Sequence, residues 1–273
     1  MRAACEAPAG YGDGSHGLLI PATPATAGAG VDTLLDGRVT IAQPAEGYRV
    51  AVDAVLLAAA VDAGDGARAL DLGCGVGSAT LCLAWRLPDL RITGLDREPA
   101  FLDHARKNAE ANGMASRVSF LDGDVLDPPP ALRSLRFDQV MLNPPYLKAE
   151  TATVSAHPLK AAATAEGEAK LDDWIACARS LLRPDGVVTL IHRADRLGDV
   201  LAALSPGFGG AAVLPIHPKQ GRAAKRVLVR ARLGSAAPLS VLPGLVLHEA
   251  DGAFTASAQA ILRQGEALAM QIR

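Results

Sequence analysis

Apolar and polar positions along this chain fall into two rhythms, and their alternation sets the architecture. Short apolar runs bounded by turn residues read as buried strands: Arg68–Leu72, Arg91–Asp96, Val118–Leu121, Phe137–Leu142 and Val187–Ile191. Between them lie stretches with helical spacing. One starts near Ser78 and ends before Pro88, and a second opens at Pro99 and stops at Asn112-Gly113. A third begins at Leu171 with Trp174, Ala178 and Leu181 on one face, and a fourth covers about Leu197–Leu204. Strand and helix in strict alternation predict an α/β domain with a doubly wound, mostly parallel seven-stranded sheet. Further strands are expected near Ala211–Ile216 and across Lys225–Arg232.

The flanks read differently. Residues 1–30 are Ala, Gly, Pro and Thr with few large apolar side chains, which predicts a disordered tail. Asp32–Ile41 carries Asp36-Gly37 between two apolar-polar stretches, a hairpin signal. A mostly apolar helix follows over Val52–Ala60, with Asp53 either favouring the helix N-terminus or serving a ligand. The domain is thus divided into a hairpin and helix (31–62), a core (67–233) and an extension (234–273). The extension holds a short apolar strand over Val241–Leu247, an Asp251-Gly252 turn and a polar helix. The polar, alanine-rich segment Leu147–Lys170 has little periodicity and predicts a loop, either a substrate lid or a plain flexible insertion.

Composition narrows the class. A chain of 273 residues, 49% hydrophobic and 21% charged, can bury one full α/β core. The net charge of −2 excludes a global nucleic-acid signal, so any such contact must be local. Cys5, Cys74, Cys82 and Cys177 show no metal-ligand spacing, and the N-terminus has no apolar signal core. The expectation is a cytoplasmic protein without a metal.

The chemistry concentrates at strand ends. Gly73-Cys74-Gly75-Val76-Gly77 follows the Arg68–Leu72 strand directly and opens a helix, the first unit of a nucleotide-binding fold. A glycine loop alone leaves a dinucleotide-binding protein open. Asp71 stands two residues before the first glycine, Asp96 ends the second strand, and Asp122-Gly123-Asp124 follows the third. An ionised carboxylate such as Asp96 accepts from both hydroxyls of a ribose diol. The fourth run ends in Asn143-Pro144-Pro145-Tyr146, placing an amide, a rigid carbonyl and a ring at the ligand edge.

Asp71-Leu72-Gly73-Cys74-Gly75-Val76-Gly77 and the two later acids resemble class I S-adenosylmethionine-dependent methyltransferases. That resemblance implies cofactor contacts at Asp71, Gly73, Gly75, Gly77, Asp96, Asp124 (in preference to Asp122), Val125 and Asn143. Asn143-Pro144-Pro145-Tyr146 resembles the signature of methyltransferases acting on planar amino nitrogens. With Gln43-Pro44, Gly47-Tyr48-Arg49, Asp53 and Lys225–Val229, it is similar to the bacterial tRNA(Val) adenine-N6 methyltransferases. The resemblance implies catalysis through Asn143, Pro144 and Tyr146, with Pro145 and Tyr146 against the target base and tRNA as partner. Glu166 matches a family Glu in the lid, but Thr164-Ala165 replace the preceding Arg-His pair.

Lys219–Arg232 holds six basic residues and no acid. As a strand it puts Arg226, Arg230 and Arg232 on one face, either a phosphate-binding stripe, with Arg226 and Arg230 as substrate contacts, or an edge kept soluble by charge. Two other functions compete with the tRNA reading. A protein glutamine N5-methyltransferase shares the tetrapeptide, but its relatives carry a helical domain before the core, and only some forty structured residues precede Arg68 here. A nicotinamide-dependent oxidoreductase or a binding-only nucleotide protein leaves Asn143–Tyr146 without a purpose.

Overall fold

A computed structural model describes residues 30–44, 52–146 and 168–270. The expected tail, Gly47-Tyr48-Arg49 and most of the expected lid, with Glu166, lie outside the described residues.

The chain enters as a hairpin, β1 (Val31–Leu34) and β2 (Val39–Ala42). Its turn holds Leu35, Asp36 and Gly37 all at positive φ, so the Asp-Gly signal marks it correctly. Helix α1 (Val52–Ala60) is buried along its entire length, which explains its composition: no residue faces water, so none needs to be polar. The core then alternates β3 (Arg68–Leu72), α2 (Ser78–Arg86), β4 (Arg91–Asp96), α3 (Pro99–Ala111), β5 (Val118–Asp122), a short α4 (Pro130–Arg133) and β6 (Phe137–Leu142). It continues through α5 (Leu171–Leu181), β7 (Leu182–Arg193), a 3-10 turn and α6 (Leu197–Leu204) to the long antiparallel pair β8 (Phe208–Lys219) and β9 (Arg226–Leu233). β10 (Ser240–Val241), β11 (Leu245–His248) and α7 (Ala256–Gln264) complete it.

The sheet runs β10-β8-β9-β7-β6-β3-β4-β5, with β11 also on β8. Only β9 is antiparallel to its neighbours. The expected seven strands are β3 to β9; the described sheet has nine because the extension adds β10 and β11 along the β8 edge, both parallel to it. The single strand expected over Val241–Leu247 is split, because Gly244 at φ 92° turns the chain so closely that a Cβ would lie 2.7 Å from the Pro215 carbonyl oxygen. Pro184-Asp185-Gly186 makes a turn-like excursion inside β7: Asp185 takes φ 62°, and the pairing to β6 passes from Leu182 opposite Phe137 to Val187 opposite Gln139.

Strand residues alternate between two apolar layers. Ala69, Met141 and Leu228 face one layer with α1, α2, α3 and α7; Leu70, Val140, Leu142, Val227 and Val229 face the other with α5 and α6. The hairpin is fastened to the first layer by two asparagines one turn apart, Asn108 on α3 and Asn112 at its C-cap. Asn108 Oδ1 accepts from the Ala42 N–H at 2.8 Å, and its amide donates to the Ala42 carbonyl at 2.9 Å. Asn112 does the same with Thr40, at 2.9 and 2.7 Å. These side chains continue the ladder where no strand is available. The sheet order reverses at β3, which lies between β4 and β6, and the crevice at the carboxyl ends of these strands is where such sheets hold ligands.

Candidate active site

A cavity of about 240 Å³ lies in that crevice. Asp71, Gly73, Gly75, Asp96, Asp124, Val125, Asn143, Pro144, Pro145 and Tyr146 all line it, so residues spread over 76 positions of sequence meet at one sheet edge. Asp122 does not line it and is exposed at the end of β5. Gly77 is not among its lining residues either. It takes a left-handed φ of 85° ahead of α2, and a Cβ there would come 3.1 Å from the Phe120 ring, so it shapes the turn and does not face the cavity.

The glycine turn is held by its own backbone and by Asp96. Gly73 and Cys74 N–H groups donate to the Leu95 carbonyl at 2.8 and 3.0 Å. Asp96 Oδ2 accepts from the Gly75 N–H at 2.7 Å, and its Oδ1 accepts from the Glu98 N–H at 2.9 Å. Gly73 is needed both for its φ of 71° and because a Cβ would sit 2.7 Å from the ring of Trp174, which also lines the cavity. At Gly75 a Cβ would meet only open space, leaving backbone exposed for close approach.

Electrostatics set the two strand-end acids apart from surface carboxylates. Asp71 is 2% exposed, and burial raises its pKa to about 7 even though the Thr80 hydroxyl donates to it at 2.6 Å; Asp96 nearby pushes in the same direction. Burial also raises Asp96, against the hydrogen bonds from Glu98 and Gly75. Asp124 accepts from the Leu126 N–H at 2.9 Å and lies 3.6 Å from an Arg97 nitrogen.

At the other end of the cavity the tetrapeptide forms a network with two distant elements. The Tyr146 hydroxyl donates to Asp53 Oδ2 at 2.8 Å and also lies within hydrogen-bond reach of Asn143 Oδ1. Arg226 Nε donates to the same Asp53 oxygen at 3.0 Å, and its guanidinium carbon is 4.8 Å above the Tyr146 ring. Burial would lower the Arg226 pKa, but Asp53 and Tyr146 together outweigh it and hold the guanidinium charged. His192, buried at the end of β7, meets the Tyr146 ring edge-on at 5.3 Å; burial, with Arg196 beside it, lowers its pKa to about 4, so it is neutral. Asp53 lies in the first turn of α1, where the helix N-terminus favours an acid, and it also partners Tyr146 and Arg226 from just outside the cavity lining.

The basic stripe requires a correction. Arg226 stands beside Tyr146 and Asp53, but Arg230 is only 5% exposed and donates to the Met270 carbonyl at 2.9 Å. The extension after β9 returns across this face of the sheet, which the alternation rule could not foresee. Arg232, at the far end, donates to the Asp185 carbonyl at 3.0 Å. The exposed bases of the segment are at the β8–β9 tip, Lys219, Arg222 and Lys225, directly beyond Arg226. Arg230→Ala should therefore leave the salt dependence of any RNA binding unchanged. It should lower the melting temperature by several degrees, because it removes a buried side chain and leaves the Met270 carbonyl unpaired. Thermal melts and binding titrations at several salt concentrations check both.

Sequence reasoning missed Trp174, read only as part of a buried helix face, and Ser78, read only as a helix start. Ser78 lines the cavity, is 6% exposed, and its Oγ has no hydrogen-bond partner among the described residues. No local signal distinguishes these two residues; only the fold brings them to the crevice.

A profile of the family described as "Methyltransferase domain" matches residues 63–209. The chain belongs to this methyltransferase family. The match covers the strands and turns that build the cavity. Among relatives, the methyltransferase is 33% identical to the release factor glutamine methyltransferase of Chlorobaculum tepidum over 202 residues, 71% of this chain and 68% of that one. It is 36% identical to the tRNA1(Val) (adenine(37)-N6)-methyltransferase of Porphyromonas gingivalis over 162 residues, 56% of this chain and 61% of that one. The chain thus spans about two thirds of these relatives' length. A crystallised Agrobacterium tumefaciens protein, named as a predicted O-methyltransferase, superposes with a TM-score of 0.67 at 29% identity, over 81% of this chain and all of that one. The enzyme is a methyltransferase with a Rossmann-like class I fold. No helix among the described residues is long and apolar enough to cross a membrane.

Proposed function

We propose that this methyltransferase uses S-adenosylmethionine to methylate the exocyclic N6 amino group of an adenine in tRNA. The carrying observation is that Asn143, Pro144 and Tyr146 line the cavity while Arg226, 4.8 Å over the Tyr146 ring, starts β9 directly after the β8–β9 tip with its exposed bases Lys219, Arg222 and Lys225.

The cavity fits the cofactor in its donor set. Asp71 offers a carboxylate for an ammonium group, Asp96 one for a diol, and Asp124 with Val125 an acid and an apolar contact for an adenine. The open space at Gly75 and the unpartnered Ser78 Oγ mark where a ligand would lie. When bound, S-adenosylmethionine supplies an electrophilic methyl group.

The chain's own residues supply orientation. An adenine amino group is a poor nucleophile because its lone pair is delocalised into the ring. Asn143 Oδ1 and the Pro144 carbonyl each accept one N–H, which fixes the nitrogen and favours positive charge developing on it. Tyr146 presents an aromatic face on which a base turned out of its stack can rest. No general base is required before transfer, since the nitrogen becomes far more acidic afterwards.

The glutamine-amide reading shares this chemistry, and the Chlorobaculum relative carries that name. The basic β8–β9 tip favours a polyanion over a protein substrate. The test offers the purified enzyme tritiated S-adenosylmethionine with unmodified total tRNA in one reaction and purified release factor in another. N6-methyladenine in digested tRNA is the expected result. Label confined to the protein would overturn the RNA assignment.

A further inference from the structure

The Tyr146 hydroxyl has one proton and, among the described residues, two acceptors within reach, Asp53 Oδ2 at 2.8 Å and Asn143 Oδ1. It cannot donate to both at once. While it donates to Asn143, it competes for the oxygen that the proposed reaction assigns to the target N–H. Once it donates to Asp53, that oxygen is free. Asp53 is built to take the proton: it is 5% exposed and is held by Arg226 at 3.0 Å on the same oxygen that meets the phenol. Arg226 in turn lies 4.8 Å over the Tyr146 ring, and His192 closes the ring's edge at 5.3 Å, so ring and carboxylate cannot drift apart independently.

We propose that Asp53 is a positioning residue that draws the Tyr146 hydrogen bond away from Asn143, freeing the Asn143 oxygen for the target amino group, with Arg226 fixing the Asp53–Tyr146 pair. Nothing is transferred covalently in this step; one hydrogen bond exchanges acceptors. The inference rests on the amino-group reading of Asn143. It gives a task to the one acid of the apolar helix α1, whose Ala54 already lines the cavity.

A rescue experiment tests it, with methyl transfer to unmodified total tRNA as the readout. Asp53→Ala removes the acceptor that competes with Asn143 for the hydroxyl, so kcat should fall roughly tenfold, the scale of one hydrogen bond to a charged group. The KM for S-adenosylmethionine should not change. Adding Tyr146→Phe removes the competing hydroxyl, so D53A/Y146F should turn over faster than D53A. A purely structural Asp53 predicts the opposite, since a second lesion in the same network adds damage; a double variant no faster than D53A would overturn the proposal. Should D53A fail to fold, Asp53→Asn with and without Tyr146→Phe makes the same comparison, because the amide keeps the shape but is a weaker acceptor.

Carbon-13 at the tyrosine ζ position gives a readout independent of substrate. The Tyr146 resonance, assigned with Y146F, should shift in both Asn143→Ala and Asp53→Asn. Wild-type enzyme that transfers no methyl to tRNA would sink the substrate reading, and the resonance would then decide the hydrogen-bond exchange by itself. A resonance indifferent to Asn143→Ala would overturn it.

Discussion

Asn143→Ala should lower kcat on tRNA by about 10²–10³-fold while leaving affinity for S-adenosylhomocysteine within a small factor of wild type. The magnitude is that of losing one preorganised dipole aimed at developing charge. Asn143 and Pro144 are the two acceptors proposed for the amino group; removing one lets the nitrogen rotate, and orientation falls with charge stabilisation. The proposed cofactor contacts other than Asn143 itself are spread over Asp71, Asp96, Asp124 and the glycine turn, on other strands, so their geometry does not depend on this side chain. The measurement pairs single-turnover kinetics with calorimetry. Wild-type turnover would make the tetrapeptide a structural turn only, and a parallel loss of cofactor affinity would show that Asn143 belongs chiefly to the cofactor.

The parts of this site that were legible in the sequence are those in which chemistry and local structure coincide. Asp71, Gly73 and Gly75 are contiguous with a strand and a turn, and Asp96 and Asn143 each end an apolar run, so the strand rhythm alone delivers them to one sheet edge. The illegible parts are contacts between elements remote in sequence. Asp53 and Arg226 are 173 positions apart, and no pattern within α1 or β9 indicates that they share an oxygen. Arg230 shows the same limit from the other side. Period-2 alternation places it on the face of Arg226, but whether that face is wet depends on where residues after Leu233 travel. Asn108 and Asn112 read as ordinary helix and helix-stop residues, because the strand edge they complete lies in the hairpin more than sixty positions earlier.

Affinity for S-adenosylhomocysteine should rise steeply with pH up to about 7 and level off above it, because Asp71 must be ionised to pair with an ammonium group. Its carboxyl is displaced from 3.8 to about 7 by burial, with Asp96 adding to the shift and the Thr80 hydroxyl opposing it. The Cys74 thiol, itself raised by burial, stays neutral across this range. Below pH 7 binding must expel a proton, which costs close to a factor of ten in affinity per pH unit. The same shift has a cost for the ligand-free fold, and its sign follows from which state holds the proton. Above pH 3.8 the unfolded chain releases the Asp71 proton while the folded chain keeps it until about 7, so stability contributed by the neutral acid is lost as pH rises across that window. The loss is on the order of 4 kcal/mol once pH exceeds 7. Asp71→Asn keeps an oxygen for Thr80 and removes the ionisation. The ligand-free variant should therefore melt higher than wild type at pH 8 and with a flatter pH dependence, while its affinity for S-adenosylhomocysteine falls on the order of a hundredfold. Melting curves from pH 5 to 9 and calorimetry in buffers of different ionisation enthalpy measure both effects. Unchanged stability at pH 8, or no proton release on binding at pH 6, would show that Asp71 is already ionised in the free enzyme and that its carboxylate is not the group awaiting the ammonium.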